Sequence, residues 1–205
     1  PGIEWWCKKV GPRVSSQKIR LVASIHSESV SELREMAALL NLYDLAGIEL
    51  NMSCPNTDAE LLWNMRYVVD ACRAVKEVSR FPLILKISIA HHVEGIIRET
   101  REIVEAVSIN SVPWDQAFPR RRSPLARFGG GGVSGKAAQG PNWWLLRQLA
   151  KASSIPVIGP SVWEYHDIER VRALGAKAVS FGSIFLRYPW RPTQFVRRDL
   201  KERRG

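Results

Sequence analysis

The sequence predicts an α/β protein built around a parallel sheet. Short runs of aliphatic and β-branched residues alternate with amphipathic helix patterns along the 205 residues, and this alternation is typical of repeated strand–helix units. The predicted strands are apolar almost throughout, which indicates a sheet covered on both faces. We count six strands, each followed by a helix. An open doubly wound sheet and a (β/α)8 barrel both agree with this count, although a barrel usually needs ~250 residues.

The first half of the chain holds four predicted strands and three predicted helices. The strands cover residues 19–25, 47–52, 83–87 and 103–109. Ser29 and Glu32 have the spacing of a capping box, which predicts a helix directly after the first strand. Asp58 is a suitable N-cap for the second helix, and a weaker apolar pattern predicts the third helix over residues 93–101.

The second half begins with a long irregular stretch, residues 111–140, and then returns to the strand–helix pattern. Two strands are predicted here, over residues 155–158 and 178–181. Pro141 suits the first position of a helix, and Gly175 is typical of the end of a helix that begins near Ile168. The last helix is predicted from about Thr193 into a basic tail.

Composition predicts one globular domain over residues 1–205. Hydrophobic residues make up 45% and charged residues 24% of the chain, which excludes disordered and collagen-like proteins. No apolar run reaches the ~20 residues of a membrane span, and no signal peptide is visible, so we expect a cytoplasmic protein without a transmembrane segment. The three cysteines lack a CxxC spacing and predict neither a disulfide framework nor a metal site.

The net charge of +10 is compatible with an anionic partner or a phosphate ligand. An arginine-rich solvated surface explains the same charge. Because no nucleic-acid-binding motif accompanies it, we predict no nucleic-acid partner.

Polar side chains follow the second predicted strand. Asn51, Ser53, Cys54 and Asn56 come where that strand ends, and sites in parallel α/β proteins form at the carboxyl ends of strands. A carboxamide offers a donor and an acceptor together, which suits the edge of a ring amide. A thiol beside such a ring is a candidate general base if its pKa falls from ~8.5. The alternative is a turn rich in asparagine that contains an inert cysteine.

Further polar or glycine-rich positions stand in or after the other strands. Lys86 lies inside an apolar strand, where a lysine is costly unless it is paired; it either reaches a bound anion or faces solvent on an edge strand. Asn110 and Ser111 follow the fourth strand. The glycine run of residues 129–132 allows close approach of backbone to a ligand. Gly182 and Ser183 follow the last strand, a common place for a phosphate.

Taken in order, these motifs resemble the dihydroorotate dehydrogenases, the flavin enzymes of pyrimidine synthesis. The segments that carry the resemblance are ELNMSCPN at 49–56, LKIS at 85–88, INS at 109–111, GGVSG at 131–135 and FGS at 181–183. The resemblance covers almost the whole chain and implies an FMN-binding (β/α)8 TIM barrel. Pro1 then falls after the second strand of that barrel, so this single flavin-binding domain is expected to lack the first two β/α units. Cys54 resembles the soluble class 1 enzymes, because the quinone-linked class carries serine there.

The resemblance also implies a role for individual residues. Cys54 is the base that removes the C5 proton of dihydroorotate, while a hydride passes from C6 to flavin N5. The side chains that hold the pyrimidine and carboxylate edges are Asn51, Asn56, Asn110 and Ser111. Lys86 lies near flavin N1, where charge develops. Ser24 is a further candidate flavin contact from its position near the end of the first strand, apart from the resemblance. The remaining flavin and phosphate contacts come from Gly132, Ser134, Gly159, Ser161, Gly182 and Ser183.

One loop departs from the family pattern, and the departure changes the expected contacts. The family has a Gly-x-Gly-Gly run where this chain has Gly159-Pro160-Ser161-Val162. Pro160 has no N–H to donate, and the Ser161 hydroxyl is a substitute donor. Because the missing units normally contribute a second lysine, an asparagine and flavin contacts, we expect the 205-residue chain alone to be inactive.

Two alternatives to this function stay open. One is a related flavin enzyme for another dihydropyrimidine such as dihydrouracil, since the asparagines recognise an amide-like ring and not a carboxylate. The other is a non-catalytic barrel remnant that acts as a binding module. The resemblance favours a homodimer and allows an electron-transfer partner, but the electron acceptor (fumarate, NAD or quinone) is left open.

Overall fold

A computed structural model describes residues 2–14, 19–53, 64–109, 111–128 and 130–203. The chain divides into two compact units, unit 1 (Pro1–Val107) and unit 2 (Ser108–Gly205), and each is described by itself. The single domain over residues 1–205 therefore stays a prediction. Within the described ranges, no helix is long and apolar enough to cross a lipid bilayer.

Unit 1 is an alternation of helices and parallel strands. Its strands are β1 (Val22–Ile25), β2 (Gly47–Asn51), β3 (Leu83–Ile87) and the start of β4 (Ala106–Ile109), and they stand in the order β1-β2-β3-β4. Its helices are α1 (Ile3–Lys9), α2 (Gly11–Val14), α3 (Val30–Leu40), α4 (Met65–Val78) and α5 (Val93–Thr100). The parallel pairing confirms the predicted α/β class for this unit.

In unit 1, β2 and β3 each have a buried apolar face and a second, partly buried face, called the polar face, which carries Glu49, Asn51, Ile84 and Lys86. Ile48, Leu50 and Leu85 are fully buried. The helices α3 and α4, which belong to the same unit, pack against each other. The next residues along the strands point the other way, because side chains alternate along a strand, and Glu49 and Lys86 are only partly buried. The second face of β2 and β3 is thus partly buried and carries polar side chains.

Local capping signals set the starts of two helices in unit 1. The Ser29 side chain accepts a hydrogen bond from the Glu32 N–H at 3.4 Å, which confirms the predicted cap of α3. Asp58 lies outside the described residues, and the described helix α4 is capped by Asn64, whose side chain accepts from the Tyr67 N–H at 3.1 Å. β4 begins later than predicted, because the Ile103 and Val104 N–H groups donate back to the Thr100 carbonyl and close the preceding helix.

Unit 2 contains two separate strand pairs and several helices. The pair β5 (Val112–Pro113) and β6 (Gly132–Val133) is antiparallel, and the pair β7 (Val157–Gly159) and β8 (Ala178–Val179) is parallel. The α-helices are α6 (Trp114–Ala117), α7 (Gln139–Ala152), α8 (Asp167–Ala173), α9 (Ile184–Arg187) and α10 (Arg191–Glu202). Short 3-10 turns occupy Ala126–Phe128 and Gly135–Ala138.

Several predicted boundaries in unit 2 differ from the structure, including those of the two strands, which are Val157–Gly159 and Ala178–Val179. The stretch 111–140 is not irregular throughout, since it contains β5, β6 and α6. α7 begins at Gln139, so Pro141 is its third residue, still within the first turn, where a missing N–H is tolerated. α10 begins at Arg191 and not near Thr193. The predicted end of α8 is confirmed by Gly175, which has a φ of +108°.

Candidate functional site

Some predicted site residues lie in unit 1, some lie in unit 2, and three lie outside the described residues. Unit 1 holds Ser24, Asn51 and Lys86. Unit 2 holds Ser111, Gly132, Ser134, Gly159, Ser161, Gly182 and Ser183. Cys54, Asn56 and Asn110 lie outside the described residues. The meeting of Cys54, Lys86 and Asn110 around one ring therefore stays a prediction.

A carboxylate joins the two predicted flavin residues of unit 1. Glu49 Oε1 accepts a hydrogen bond from Ser24 Oγ at 2.9 Å and from Lys86 Nζ at 3.0 Å. The side chains of Lys86 and Glu49 are 24% and 18% exposed. Because β3 lies between β2 and β4, the alternative of a solvent-facing lysine on an edge strand is wrong. The lysine is paired, as its position in an apolar strand requires.

Asn51 shapes the backbone that leads towards Cys54. Its Oδ1 accepts from the Ser53 N–H at 3.3 Å and from the Ser53 hydroxyl at 3.1 Å. Its backbone carbonyl lies 2.9 Å from His26 Nδ1. Asn51 is opposite Lys86 in the β2–β3 register, so the carboxamide and the ammonium stand on the same face of the sheet.

His91 binds the backbone directly after β2. Its Nε2 donates to the Met52 carbonyl at 3.0 Å, and its Nδ1 accepts from the Ser88 N–H at 3.2 Å. Burial lowers the pKa of His91 below its usual range, and this outweighs the hydrogen bonds to backbone that favour the charged form. A neutral imidazole therefore fixes the backbone at Met52. Among the described residues no group of three metal-ligating side chains occurs.

The burial of His91 predicts a pH-dependent stability. Because its pKa is lower in the folded state than the unfolded value of ~6.5, the unfolded chain binds the extra proton. The stabilisation is complete above that unfolded value and is lost as the pH falls towards the folded pKa. We expect the free energy of unfolding to fall between about pH 7.5 and pH 5, and less so in His91→Gln, measured by urea denaturation. The matched control is His92→Gln, because His92 is exposed; equal losses in the wild type and His91→Gln would contradict the assignment.

In unit 2 the loop after β7 is held in an unusual backbone conformation. Ser161 has a φ of +61°, in the left-handed region that favours glycine. Gln139 Nε2 donates to the Ser161 carbonyl at 3.0 Å, and Asn142 Nδ2 donates to the Ser161 hydroxyl at 3.1 Å. Trp143 Nε1 donates to the Pro160 carbonyl at 3.0 Å. Since the hydroxyl oxygen accepts from Asn142, its own proton is left to donate elsewhere.

Asp167, the first residue of α8, anchors the end of this loop that precedes the helix. It is 2% exposed, and its Oδ2 accepts from Gln139 Nε2 at 2.8 Å and from the N–H groups of Trp163 and Glu164 at 3.0 and 2.8 Å. The first residues of α7 and α8 therefore brace the loop together. Among the described side chains one buried polar atom has no hydrogen-bond partner, the Oδ1 of Asn142.

Two glycines, the predicted Gly132 and the neighbouring Gly135, lie against predicted serine positions. A Cβ placed on Gly132 would come within 2.5 Å of Ser111 Oγ, and one placed on Gly135, which has a φ of +75°, within 2.7 Å of Ser183 Oγ. Gly182 has open space where a Cβ would be. The Ser180 N–H donates to the Gly159 carbonyl at 2.9 Å, which ties the ends of β7 and β8 together. Within unit 2, Ser111 therefore lies close to Gly132 and Ser183 close to Gly135, while the meeting of the other predicted positions stays a prediction.

Sequence reasoning did not assign Glu49, Gln139, Asn142 or Asp167 to the site. Glu49 had a usable signal, because it stands two residues before Asn51 and so shares its face of β2. The other three belong to helix starts, and polar residues are common there. Only the hydrogen bonds to the loop after β7 distinguish them.

Comparisons with known proteins give consistent results. A family model described as dihydroorotate dehydrogenase matches residues 1–201. The catalytic subunit of dihydroorotate dehydrogenase B (NAD(+)) from Methanocaldococcus jannaschii is 29% identical over 196 residues, covering 89% of this chain and 63% of that protein. The protein of the same name from Thermoanaerobacter pseudethanolicus is 27% identical over 190 residues with the same coverage. The chain thus spans less than two thirds of these relatives.

A solved structure supports the fold alone. A phosphonopyruvate hydrolase in complex with oxalate and Mg²⁺ superposes with a TM-score of 0.56 at 12% identity, covering 100% of this chain and 69% of that one. It is a TIM-barrel protein. The predicted α/β fold class is therefore confirmed, and the superposition agrees with a barrel of which this chain forms part.

Proposed function

The chain belongs to the dihydroorotate dehydrogenase family, and from that premise we propose that it forms part of an FMN-dependent oxidoreductase that converts dihydroorotate to orotate. The observation that carries this proposal is the paired Lys86 ammonium on the polar face of β2 and β3. A cation held beside a strand end suits a ligand on which negative charge develops during the reaction.

The described residues fit FMN in chemical type. The polar face of unit 1 offers an ammonium, a hydroxyl and a carboxamide, from Lys86, Ser24 and Asn51. In unit 2, the Ser161 hydroxyl keeps its proton to donate, and Gly182 leaves open space beside its backbone. When bound, FMN supplies the acceptor for the hydride that leaves C6 of the substrate.

For unit 1 we propose that Lys86 faces the flavin ring near N1 and that Ser24 contacts the same ring. Asn51 binds one edge of the pyrimidine, together with Asn56 and Asn110. Cys54 takes the C5 proton as the C6 hydride leaves, so that the ring gains a C5–C6 double bond. His91 supports this chemistry indirectly, because it fixes the backbone that precedes Cys54.

For unit 2 we propose that the loop after β7 and the junction after β8 bind the FMN phosphate. Pro160 contributes no N–H, so the Ser161 hydroxyl donates in its place. The backbone at Gly182 and Ser183 approaches the phosphate closely, since glycine adds no side chain. Gly132, Ser134 and Gly159 border the cofactor, and Ser111 holds the substrate.

Other features of the whole protein follow as proposals from the same relatives. The relatives are catalytic subunits of enzymes named for NAD(+). We therefore propose that a further subunit passes electrons onward to NAD. A homodimer of the catalytic chain is proposed from the family resemblance.

The test is to express the complete reading frame and to measure bound flavin by visible absorption and orotate formation by chromatography. We expect a yellow protein that oxidises dihydroorotate. A folded but colourless protein would reject the proposal. A protein that prefers dihydrouracil to dihydroorotate would instead support the related dihydropyrimidine activity.

A further inference from the structure

Glu49 contacts both of the unit 1 residues proposed to face the flavin ring. We propose that Glu49 is a positioning residue for Lys86, and that it sets how much positive charge the protein presents to a bound flavin. This inference rests on the proposed function, because it concerns the same cofactor. It adds a carboxylate whose charge opposes that of the lysine.

Strand register places the side chains of Ser24, Glu49 and Lys86 on one face of three neighbouring strands, with Lys86 two residues beyond the β3 partner of Glu49. Ser24 on β1 is the register partner of Glu49 on β2, and Asn51 of β2 is the partner of Lys86 on β3. Glu49 and Asn51 share one face of β2 because they are two residues apart. The carboxylate therefore lies between the hydroxyl and the ammonium and accepts a hydrogen bond from each, at 2.9 and 3.0 Å.

Buried apolar residues on the opposite face of β2 and β3 fix the backbone that carries Glu49 and Lys86. Ile48 and Leu50 flank Glu49 along β2, and Leu85 precedes Lys86 on β3; all three are fully buried. A slip of one residue would move these side chains to the polar face. The backbone positions of Glu49 and Lys86 are therefore fixed by packing, and the hydrogen bond to Glu49 restrains the long lysine side chain.

The Glu49–Lys86 pair is better shielded from water than the surface ion pairs. Its side chains are 18% and 24% exposed, whereas those of Arg34 and Glu77 are 51% and 67% exposed. Exposed pairs restrain side chains weakly because water screens them. Less screening strengthens the interaction between charges, so Glu49 holds the Lys86 ammonium in one place.

A paired lysine presents less net positive charge than a lone one. A bound flavin gains negative charge on reduction, and a nearby cation favours that state. Glu49 partly cancels the cation. Removing the charge of Glu49 should therefore favour the reduced flavin, and removing the charge of Lys86 should favour the oxidised flavin. A merely structural role for Glu49 predicts no shift towards the reduced form.

The first measurement is the reduction potential of the flavin in the complete protein. In Glu49→Gln we expect the equilibrium ratio of reduced to oxidised flavin to rise at least about tenfold, a shift of ~30 mV for a two-electron couple. In Lys86→Met the shift has the opposite sign. Glu77→Gln makes the same change of charge at an exposed position, 67% exposed, and should leave the potential unchanged. An unchanged or lower potential in Glu49→Gln overturns the inference.

The second measurement needs no flavin. Lysine amines of the flavin-free chain are labelled with acetic anhydride, and Lys86 is quantified by peptide mass spectrometry. In Glu49→Gln the labelling of Lys86 should quicken at least about fivefold, the factor that ~1 kcal/mol produces. Lys76, which pairs with Glu105, is the internal reference and should not change. Unchanged labelling of Lys86 overturns the inference. A protein that binds no flavin rejects the proposed function, while the labelling still decides whether Glu49 positions Lys86.

Discussion

Turnover of dihydroorotate by the complete protein is expected to fall at least about 100-fold when Cys54 is replaced with alanine. The proposed reaction removes the C5 proton, and alanine has no group that can accept it. Flavin binding should persist, because the proposed FMN contacts come from other residues. The measurement is orotate formation under saturating substrate, with flavin content from visible absorption. Cys54→Ser should retain more activity at high pH than at neutral pH, since a hydroxyl is a much weaker acid than a thiol.

The other cysteines supply the control for this experiment. Cys72 is fully buried in α4, and burial raises the pKa of its thiol to about 12, so it stays protonated and cannot serve as a base near neutral pH. Cys7 lies in α1 and is half-buried. Cys7→Ala should leave turnover within about twofold of wild type, the scale of a surface substitution. If Cys54→Ala turned over at the wild-type rate, the assignment of the base would be wrong.

Replacing Asp167 with alanine is expected to lower the free energy of unfolding by about 3 kcal/mol or more. The Asp167 carboxylate is 2% exposed and accepts from one side chain and two backbone N–H groups. Alanine would leave these donors without their partner. The loop that carries Ser161 would lose its far anchor, so FMN affinity should fall together with stability. Urea denaturation measures the first effect and flavin titration the second.

Two further substitutions separate the hydrogen bonds of Asp167 from its charge. Asp167→Asn keeps an acceptor oxygen and should cost less than Asp167→Ala. Asp70→Ala removes an exposed aspartate that pairs with Arg66 and Arg73 on α4, and it should change stability by no more than about 0.5 kcal/mol. A loss below about 1 kcal/mol in Asp167→Ala would show that the loop does not depend on this carboxylate.

Elements that depend on neighbouring residues could be predicted accurately. The capping box at Ser29 and Glu32 locates the start of α3, and Gly175 locates the end of α8, because each signal acts within one helical turn. β3 matches its predicted bounds, since an apolar strand between Pro82 and Ser88 has only one place to form. Elements that depend on distant pairing were missed. β5 and β6 join residues about twenty positions apart through the Val112–Val133 pair, and neither two-residue strand has a pattern of its own.

The same distinction between local signals and distant contacts applies to the residues of the candidate site. The order and spacing of the motifs around Cys54, Lys86 and Ser183 were enough to identify the family, because those residue types carry the chemistry wherever the fold places them. The partners of these residues required the tertiary structure. Lys86 meets Glu49 across 37 positions of sequence, and Ser161 meets Asn142 across 19.

The amino-acid sequence by itself determined which residues are chemically capable, where most strands and helices of the repeated units lie, and the family to which the chain belongs. Only the tertiary structure decided which carboxylate faces the lysine and which side chains hold the loop after β7. The physical reason is that propensity and capping act over a few residues. Strand register, in contrast, is set by packing between segments that are distant in the chain, and a shift of one residue in β2 would turn Glu49 away from Lys86.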